Sequence, residues 1–359
     1  MRQMLGPEHV GRRVAVRIRL RDARPGRRFT DVTGELIEFG PDHWLVRPAA
    51  GAAVTIDAAA VVAARPIPPK PTPFSEIIGL ERLLAQTWPA TETAPLGGWL
   101  LRAAAGFTNR ANSVLALTAP EGGTDAAAAA VVAWYEARGL VPKISMAGPV
   151  TRRLEDELAE RGWTPELDTV VMVKALKDNR YDGEAVLTRA PSAAFLAQTD
   201  RGAPETAPLV LGSGPDRAYA EIRRGGVLAA RGRGALAGDI LAVTSVGTDP
   251  GHRRQGLGAE IVAALEAWGA ETTAARAVLQ VEADNAPAIA MYERLGYAER
   301  YRYRYRVRRQ ALAAAVLFEG LALRSNAIRV AFSSRPYTST PRAMTMRNPT
   351  QPDRASSAK

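Results

Sequence analysis

The residues best suited to chemistry in this 359-residue chain cluster in the run Asp249-Pro-Gly-His-Arg-Arg-Gln-Gly-Leu-Gly258. It is preceded by Ile240-Leu-Ala-Val-Thr-Ser-Val246, β-branched and apolar enough for a buried strand. It is followed by Leu257, Ile261, Val262, Leu265 and Trp268, which share one face at helical spacing. Strand, basic glycine-rich loop and helix follow in that order. A loop that presents free backbone N–H groups at a helix N-terminus attracts an anion, because unpaired donors and the helix dipole both favour negative charge. Gly256 and Gly258 let the main chain approach such a ligand, and Arg253 and Arg254 add charge. The expected ligand bears phosphate.

The spacing is not that of the common nucleotide loops. A P-loop needs Lys-Ser/Thr after its second glycine, and a dinucleotide fingerprint needs a third glycine. Arg253-x-x-Gly256-x-Gly258 resembles instead the R/Q-x-x-G-x-G/A loop of the GNAT superfamily of acyl-CoA-dependent N-acyltransferases. A second buried strand at Ala277-Val-Leu-Gln-Val-Glu282 and a helix closed by Gly296 extend the likeness. Asn285, Ala288, Tyr292, Gly296 and Tyr297 fit the family's N-x-x-A-x-x-x-Y-x-x-x-G-F/Y ending.

The resemblance implies acetyl-CoA as co-substrate and no metal. It places the pantetheine arm on the strand ending at Val246 and the pyrophosphate on Arg253, Arg254, Gln255, Gly256 and Gly258, with Asn285 also touching the arm. Tyr292 matches the position of the acid that protonates the departing thiolate; a phenol, with a pKa near ~10, is still protonated at neutral pH. Some members carry a glutamate as base in the middle of the second strand, where this chain has Gln280. Glu282, two residues on and on the same side, is the expected substitute, with Glu221 as an alternative. His252 is expected to support the loop.

Composition narrows the field. With no cysteine, disulfides, thiolate zinc sites and cysteine nucleophiles are excluded, and His9, His43 and His252 lie too far apart for a metal pattern. No apolar run is long enough for a membrane span or signal peptide, so a soluble cytoplasmic protein is expected. The net charge of +10 favours acidic partners, CoA itself among them.

The fold class expected is α/β (α+β): tandem GNAT-like mixed-sheet domains behind a small all-β SH3-like barrel. Residues 1–66 suggest five short strands, with Arg12, Arg13, Arg17, Arg19, Arg21, Arg24, Arg27 and Arg28 along one edge. That edge is a solvated or docking face, or a nucleic-acid surface, though few aromatics are available to stack bases. Residues 67–74 form a proline-rich linker. Shifting residues 75–176 by 134 places Gly122 on Gly256, Trp134 on Trp268, Ile144 on Val278 and Gly162 on Gly296 without a gap. Thr151 then stands at Asn285 and Leu158 at Tyr292, so 75–176 reads as a degenerate copy and 183–307 as the catalytic one. In the first copy the cluster Gly106–Ser113 offers Asn109, Arg110 and Asn112, as a surface turn or as a cleft wall. Arg300-Tyr-Arg-Tyr-Arg-Tyr-Arg-Val307 reads as a packed last strand, tyrosines on one face. Residues 308–359 form a tail, helical over 308–323 and then disordered.

The function expected is transfer of an acetyl group to a primary amine, on a protein lysine or N-terminus or on a small metabolite. The alternatives are a non-catalytic acyl-CoA-binding regulator and a nucleic-acid-associated protein acting through the basic barrel. The sequence does not fix the acceptor or the oligomeric state.

Overall fold

The computed structural model describes residues 5–309 except 25–26, 69, 178–179, 200–204 and 215. Apart from residues 308 and 309, which are not helical, the expected helix over 308–323 and the tail beyond it fall outside the described residues, as do the side chains of Arg21, Arg24 and Arg27.

Alternation of apolar and basic residues shapes the first unit. Strands β1 (Arg13–Arg24), β2 (Arg27–Phe39), β3 (His43–Pro48), β4 (Val54–Asp57) and β5 (Val61–Pro66) form one antiparallel sheet in the order β4-β3-β2-β1-β5. Val14, Val16, Leu36, Trp44, Val46 and Ile56 turn inward, while Arg12, Arg17 and Arg19 stay exposed. Arg17 already pairs with Asp31 at 2.8 Å.

The rest of the chain builds a single sheet. Its elements are α1 (Phe74–Thr87), β6 (Glu92–Leu96), β7 (Trp99–Ala103), β8 (Val114–Leu115), α2 (Thr124–Glu136), β9 (Lys143–Met146), α3 (Arg152–Glu160) and β10 (Thr164–Ala175). There follow β11 (Val186–Thr188), α4 (Ala193–Thr199), α5 (Ala207–Leu211), β12 (Arg217–Arg224), β13 (Val227–Ala237), β14 (Ile240–Thr248), α6 (Leu257–Ala270), β15 (Arg276–Glu282), α7 (Ala286–Arg294) and β16 (Ala298–Val307). The sheet has 11 strands in the order β11-β12-β13-β14-β15-β10-β16-β9-β8-β7-β6.

The internal repeat is visible in the element limits. Helix α7 spans 286–294 and α3 spans 152–160, displaced by 134 at both ends, and β16 starts 134 residues after β10. The halves nevertheless exchange their last strands. β10, from the first half, pairs with β15 of the second, and β16, from the second, pairs with β9 of the first. Where β10 meets β16, Thr164 faces Val307 and Val173 faces Ala298. In repeat numbering each strand end therefore faces the opposite end of its twin, which is a local two-fold axis.

Helix α6 sits close on this sheet because glycines clear its path. A Cβ on Gly232 would lie 2.5 Å from Ile261 Cγ2, and one on Gly269 would lie 2.8 Å from Leu241 Cδ2. The loop at the head of the helix is thereby held against the strands. Helix α1 packs on the other face, where Ile77, Leu80 and Leu84 meet Ile240, Ala242, Val278 and the tyrosines of β16.

One carboxylate is buried in that layer. Glu81 of α1 is 6% exposed and accepts a hydrogen bond from Tyr301 at 2.7 Å. Burial raises its pKa; the Tyr301 hydrogen bond and the charges of Arg102 and Arg110 only partly oppose that. A carboxyl whose folded pKa is raised contributes stability below its unfolded value, near ~4.3, and loses it as pH climbs through the folded pKa. Glu81→Gln, which can still accept from Tyr301, is expected to match the wild-type melting temperature near about pH 5 and to exceed it near about pH 8. Thermal melts at both pH values check this.

Candidate functional site

The site begins where two parallel strands part. β14 and β15 are paired from Ile240 and Arg276 to Val243 and Leu279, and the ladder stops there. Between Thr244 and Gly247 the register of β14 against β13 shifts, with Ser245 at φ 54°. This bulge turns β14 out of the sheet. A cavity of about 390 Å³ fills the fork, with Thr244, Ser245 and Val246 on one side and Gln280, Val281 and Glu282 on the other. A second cavity of about 1110 Å³ runs from Val246 over the loop, lined by Arg253, Arg254, Gly256, Gly258 and Met291. Asn285, Ala288 and Tyr292 line both.

The loop has the geometry of an anion site. Asp249 accepts from Gly251 N at 2.9 Å and approaches His252 Nδ1 at 3.2 Å, fixing the turn, so His252 takes the supporting place expected of it. The backbone N–H groups of Arg253 through Gly258 meet no acceptor among the described residues. Gly256 has φ 82°, the left-handed region a glycine reaches without strain. Gly258 differs: a Cβ there would make ordinary contacts, 3.4 Å to Met291 Sδ and 3.5 Å to Thr248 Oγ1. Packing does not demand a glycine at that position.

Tyr292 stands at the junction of the cavities. It is 7% exposed and edge-on to Tyr297 at 5.9 Å, and burial pushes its phenol up to about 12. Asn285 caps α7, its Oδ1 accepting from Ala288 N at 3.2 Å. Glu282 is exposed at the rim of the smaller cavity. Gln280 is half-buried in its wall, and its Oε1 has no hydrogen-bond partner. Glu221, the alternative base, lines neither cavity; it is buried on β12 and bound to Arg223 at 2.8 Å.

The first half supplies the remaining wall. Trp88, Phe107, Thr108, Asn109, Arg110, Leu167 and Thr169 line the smaller cavity, with Tyr303 and Tyr305 of the exchanged strand. Of the two readings of the Gly106–Ser113 cluster, the cleft wall is the one the structure shows. Asn112 faces inward to hold the loop: its Oδ1 accepts from Ala104 N and Gly106 N, and its Nδ2 donates to Phe107 O and Thr108 O. The tyrosine face of β16 packs as expected and in addition borders the site.

Backbone strain gathers here. Among the described residues the non-glycine positions with positive φ are Ala105, Thr108, Leu167, Ser245 and Arg254. All but Ala105 line one of the two cavities, and Ala105 belongs to the Thr108 loop. Strain of this kind, about 1–3 kcal/mol per residue, persists where the surrounding structure enforces it, as functional sites do.

A bulged strand parting from its parallel neighbour, an amide-lined loop at a helix N-terminus and a buried phenol between them define an acyltransferase of GNAT type. Residues 74–306 match the family described as "Probable histone acetyltransferase Rv0428c C-terminal", and residues 8–65 match "Rv0428c N-terminal Sm-like domain". The chain belongs to this family of GNAT acetyltransferases. Its first unit is thus Sm-like, where an SH3-like barrel was expected. The chain is 26% identical over 240 residues to the uncharacterized N-acetyltransferase YobR of Bacillus subtilis, covering 63% of this chain and 96% of that protein. It is 34% identical over 137 residues to the probable histone acetyltransferase Rv0428c of Mycobacterium tuberculosis, covering 38% of this chain and 44% of that one. A GCN5-related N-acetyltransferase from Kribbella flavida shares the fold, with a TM-score of 0.51 at 20% identity over 65% of this chain and 95% of its own. Among the described residues no helix is long and apolar enough to cross a membrane.

Proposed function

We propose that the protein transfers an acetyl group from acetyl-CoA to a primary amine, residues 183–307 holding the donor and residues 75–176 walling the acceptor pocket. The observation that carries this reading is the run of unpaired amides from Arg253 to Gly258 beside an opened β14–β15 fork. The amides and the charges of Arg253 and Arg254 suit a diphosphate, with Gln255, Gly256 and Gly258 beside them. The edge of β14 around Val246, released from β15, suits the amide groups of a pantetheine arm, and Asn285 faces the same channel. Acetyl-CoA supplies the activated thioester when bound.

The chain's own groups then divide the proton traffic. The Tyr292 phenol donates to the sulfur that leaves. Glu282 accepts the proton of the amine, directly or through one water, since Gln280 has no basic oxygen. Trp88, Phe107, Tyr303 and Tyr305 shield the reacting atoms from solvent. The full chain is expected to act in the cytoplasm, with no metal.

Arg253→Ala/Arg254→Ala is expected to weaken CoA binding on the order of 10- to 100-fold, since each exposed, solvent-screened guanidinium contributes on the order of 1 kcal/mol. The affinity that remains should depend less on salt than that of the wild type. Calorimetric titration of CoA at two ionic strengths measures both effects. Unchanged affinity in the double variant would remove the loop as the diphosphate site.

A further inference from the structure

The acceptor pocket holds one guanidinium that stacks on an aromatic ring but donates no hydrogen bond among the described residues. Arg110 lines the smaller cavity, half-buried, with its guanidinium carbon 4.9 Å from the Trp88 ring centre. Among the described residues it forms no direct ion pair and donates no side-chain hydrogen bond; the carboxylate its charge acts on is the buried Glu81, which borders the recess behind the cavity and is already hydrogen-bonded to Tyr301. The other basic groups nearby are engaged. Arg231 donates to Ser245 O at 2.5 Å and to Gln198. Arg102 donates to Ser113 O at 2.9 Å, and Lys143 to Asn109 Oδ1 at 2.5 Å and Glu166 at 3.0 Å.

The loop that carries Arg110 is built for rigidity. The four Asn112 hydrogen bonds fix it at 2.8–3.0 Å, the Trp88 indole donates to Thr108 Oγ1 at 3.0 Å, and Ala105 and Thr108 hold left-handed backbone. A half-buried charge costs free energy unless it meets a partner, and a pre-ordered guanidinium presents a planar fork of donors that matches a carboxylate. The opposite need stands beside it. Gln280 Oε1 is buried without a hydrogen-bond partner, and Arg110, Gln280, Trp88 and Tyr303 together border both the acceptor cavity and the small recess behind it. A donor-rich cation and an unfilled acceptor oxygen at one end of a pocket of about 390 Å³ fit a small molecule bearing both charges.

From this pairing we infer that the acceptor is a small aminocarboxylic acid, its carboxylate held by Arg110 and its amine directed by Gln280 Oε1 toward Glu282 and the fork. The inference rests on the acetyltransferase reading and narrows its acceptor. A lysine side chain of a protein brings no carboxylate to Arg110 and leaves its guanidinium hydrogens without an acceptor. Trp88, Phe107, Tyr303 and Tyr305 favour an apolar side chain on the acceptor.

The test uses the full chain with acetyl-CoA and matched acceptors: leucine against isoamylamine, phenylalanine against phenethylamine, O-phosphoethanolamine, and a histone-tail peptide. The amino acids are expected to exceed their decarboxylated partners in kcat/KM on the order of 10- to 100-fold, the worth of a hydrogen-bonded charge. Most of that difference should lie in KM. Arg110→Gln should erase the preference, Arg110→Lys should keep part of it, and both should bind CoA as tightly as the wild type. Equal rates for matched partners overturn the inference, as does a preference that survives Arg110→Gln. Faster transfer to O-phosphoethanolamine or to the peptide also overturns it, while leaving the transferase reading intact. Absence of CoA binding and of thioester consumption with every acceptor removes that reading and the inference with it.

Discussion

Tyr292→Phe is expected to lower kcat by about two orders of magnitude, in the range general acids supply, while KM for acetyl-CoA changes little. The phenol lies where the two cavities meet, and its pKa, pushed up to about 12, keeps the proton on oxygen throughout the working range. The cause is burial, which disfavours the phenolate. The sign has two consequences. First, the alkaline limb of the wild-type pH–rate profile should show no loss from Tyr292 until pH approaches about 12, so any decline below that belongs to another group. Second, a folded pKa above the unfolded value near ~10 contributes stability that is present below that value and lost as pH rises toward the folded one. The phenylalanine variant keeps the ring that meets Tyr297 edge-on at 5.9 Å, so its melting temperature near neutral pH should match the wild type. Rate and melt are therefore separable. Equal kcat in the variant would remove Tyr292 as the acid and leave the thiolate to depart without a side-chain proton donor.

The parts of this protein that are local in sequence were legible there. The basic loop, the apolar face of α6 and the cap at Asn285 each depend on residues within a few positions of one another, and the 134-residue offset carried α3 and β10 onto α7 and β16. What stayed hidden depends on pairing between distant segments. Alternating tyrosine and arginine in β16 showed which face is buried, but not that the strand lies among first-half elements and brings Tyr303 and Tyr305 to the smaller cavity. Trp88 gave no signal, because a tryptophan at the end of a helix is ordinary core until the Thr108 loop is seen to receive its N–H. Strand β6, Glu92-Thr-Ala-Pro-Leu96, was missed because it is an edge strand with Pro95 and only Ala94 and Leu96 packed against the core. The base position shows a limit of another kind. Parity placed Gln280 and Glu282 on the same side of β15, but only the fork shows Gln280 within the wall and Glu282 at the rim.

The exchange of strands sets the largest expected effect on folding. A fragment comprising residues 183–307, although it contains the loop, Asn285, Glu282 and Tyr292, should not form a soluble monomer. Without the first half, β15 loses the partner that pairs with it from Thr169↔Glu282 to Ala175↔Arg276, and β16 loses both neighbours. The missing segment of β10 buries Val170, Val171, Met172 and Val173, at 1%, 0%, 1% and 9% exposure. At about 1.5–3 kcal/mol for each buried side chain, removing those contacts costs about 6–12 kcal/mol, comparable with the whole stability of a typical domain at about 5–15 kcal/mol. Two unpaired apolar edges would also template aggregation. Coexpression with residues 75–176 should rescue the fragment, because that chain returns β10 and receives β16 as the local two-fold requires. Size-exclusion chromatography and CoA titration of the fragment alone and of the coexpressed pair decide the matter. A monomeric 183–307 that binds CoA with the affinity of the full chain would show that the exchange is dispensable, and that the second half completes its sheet without its twin.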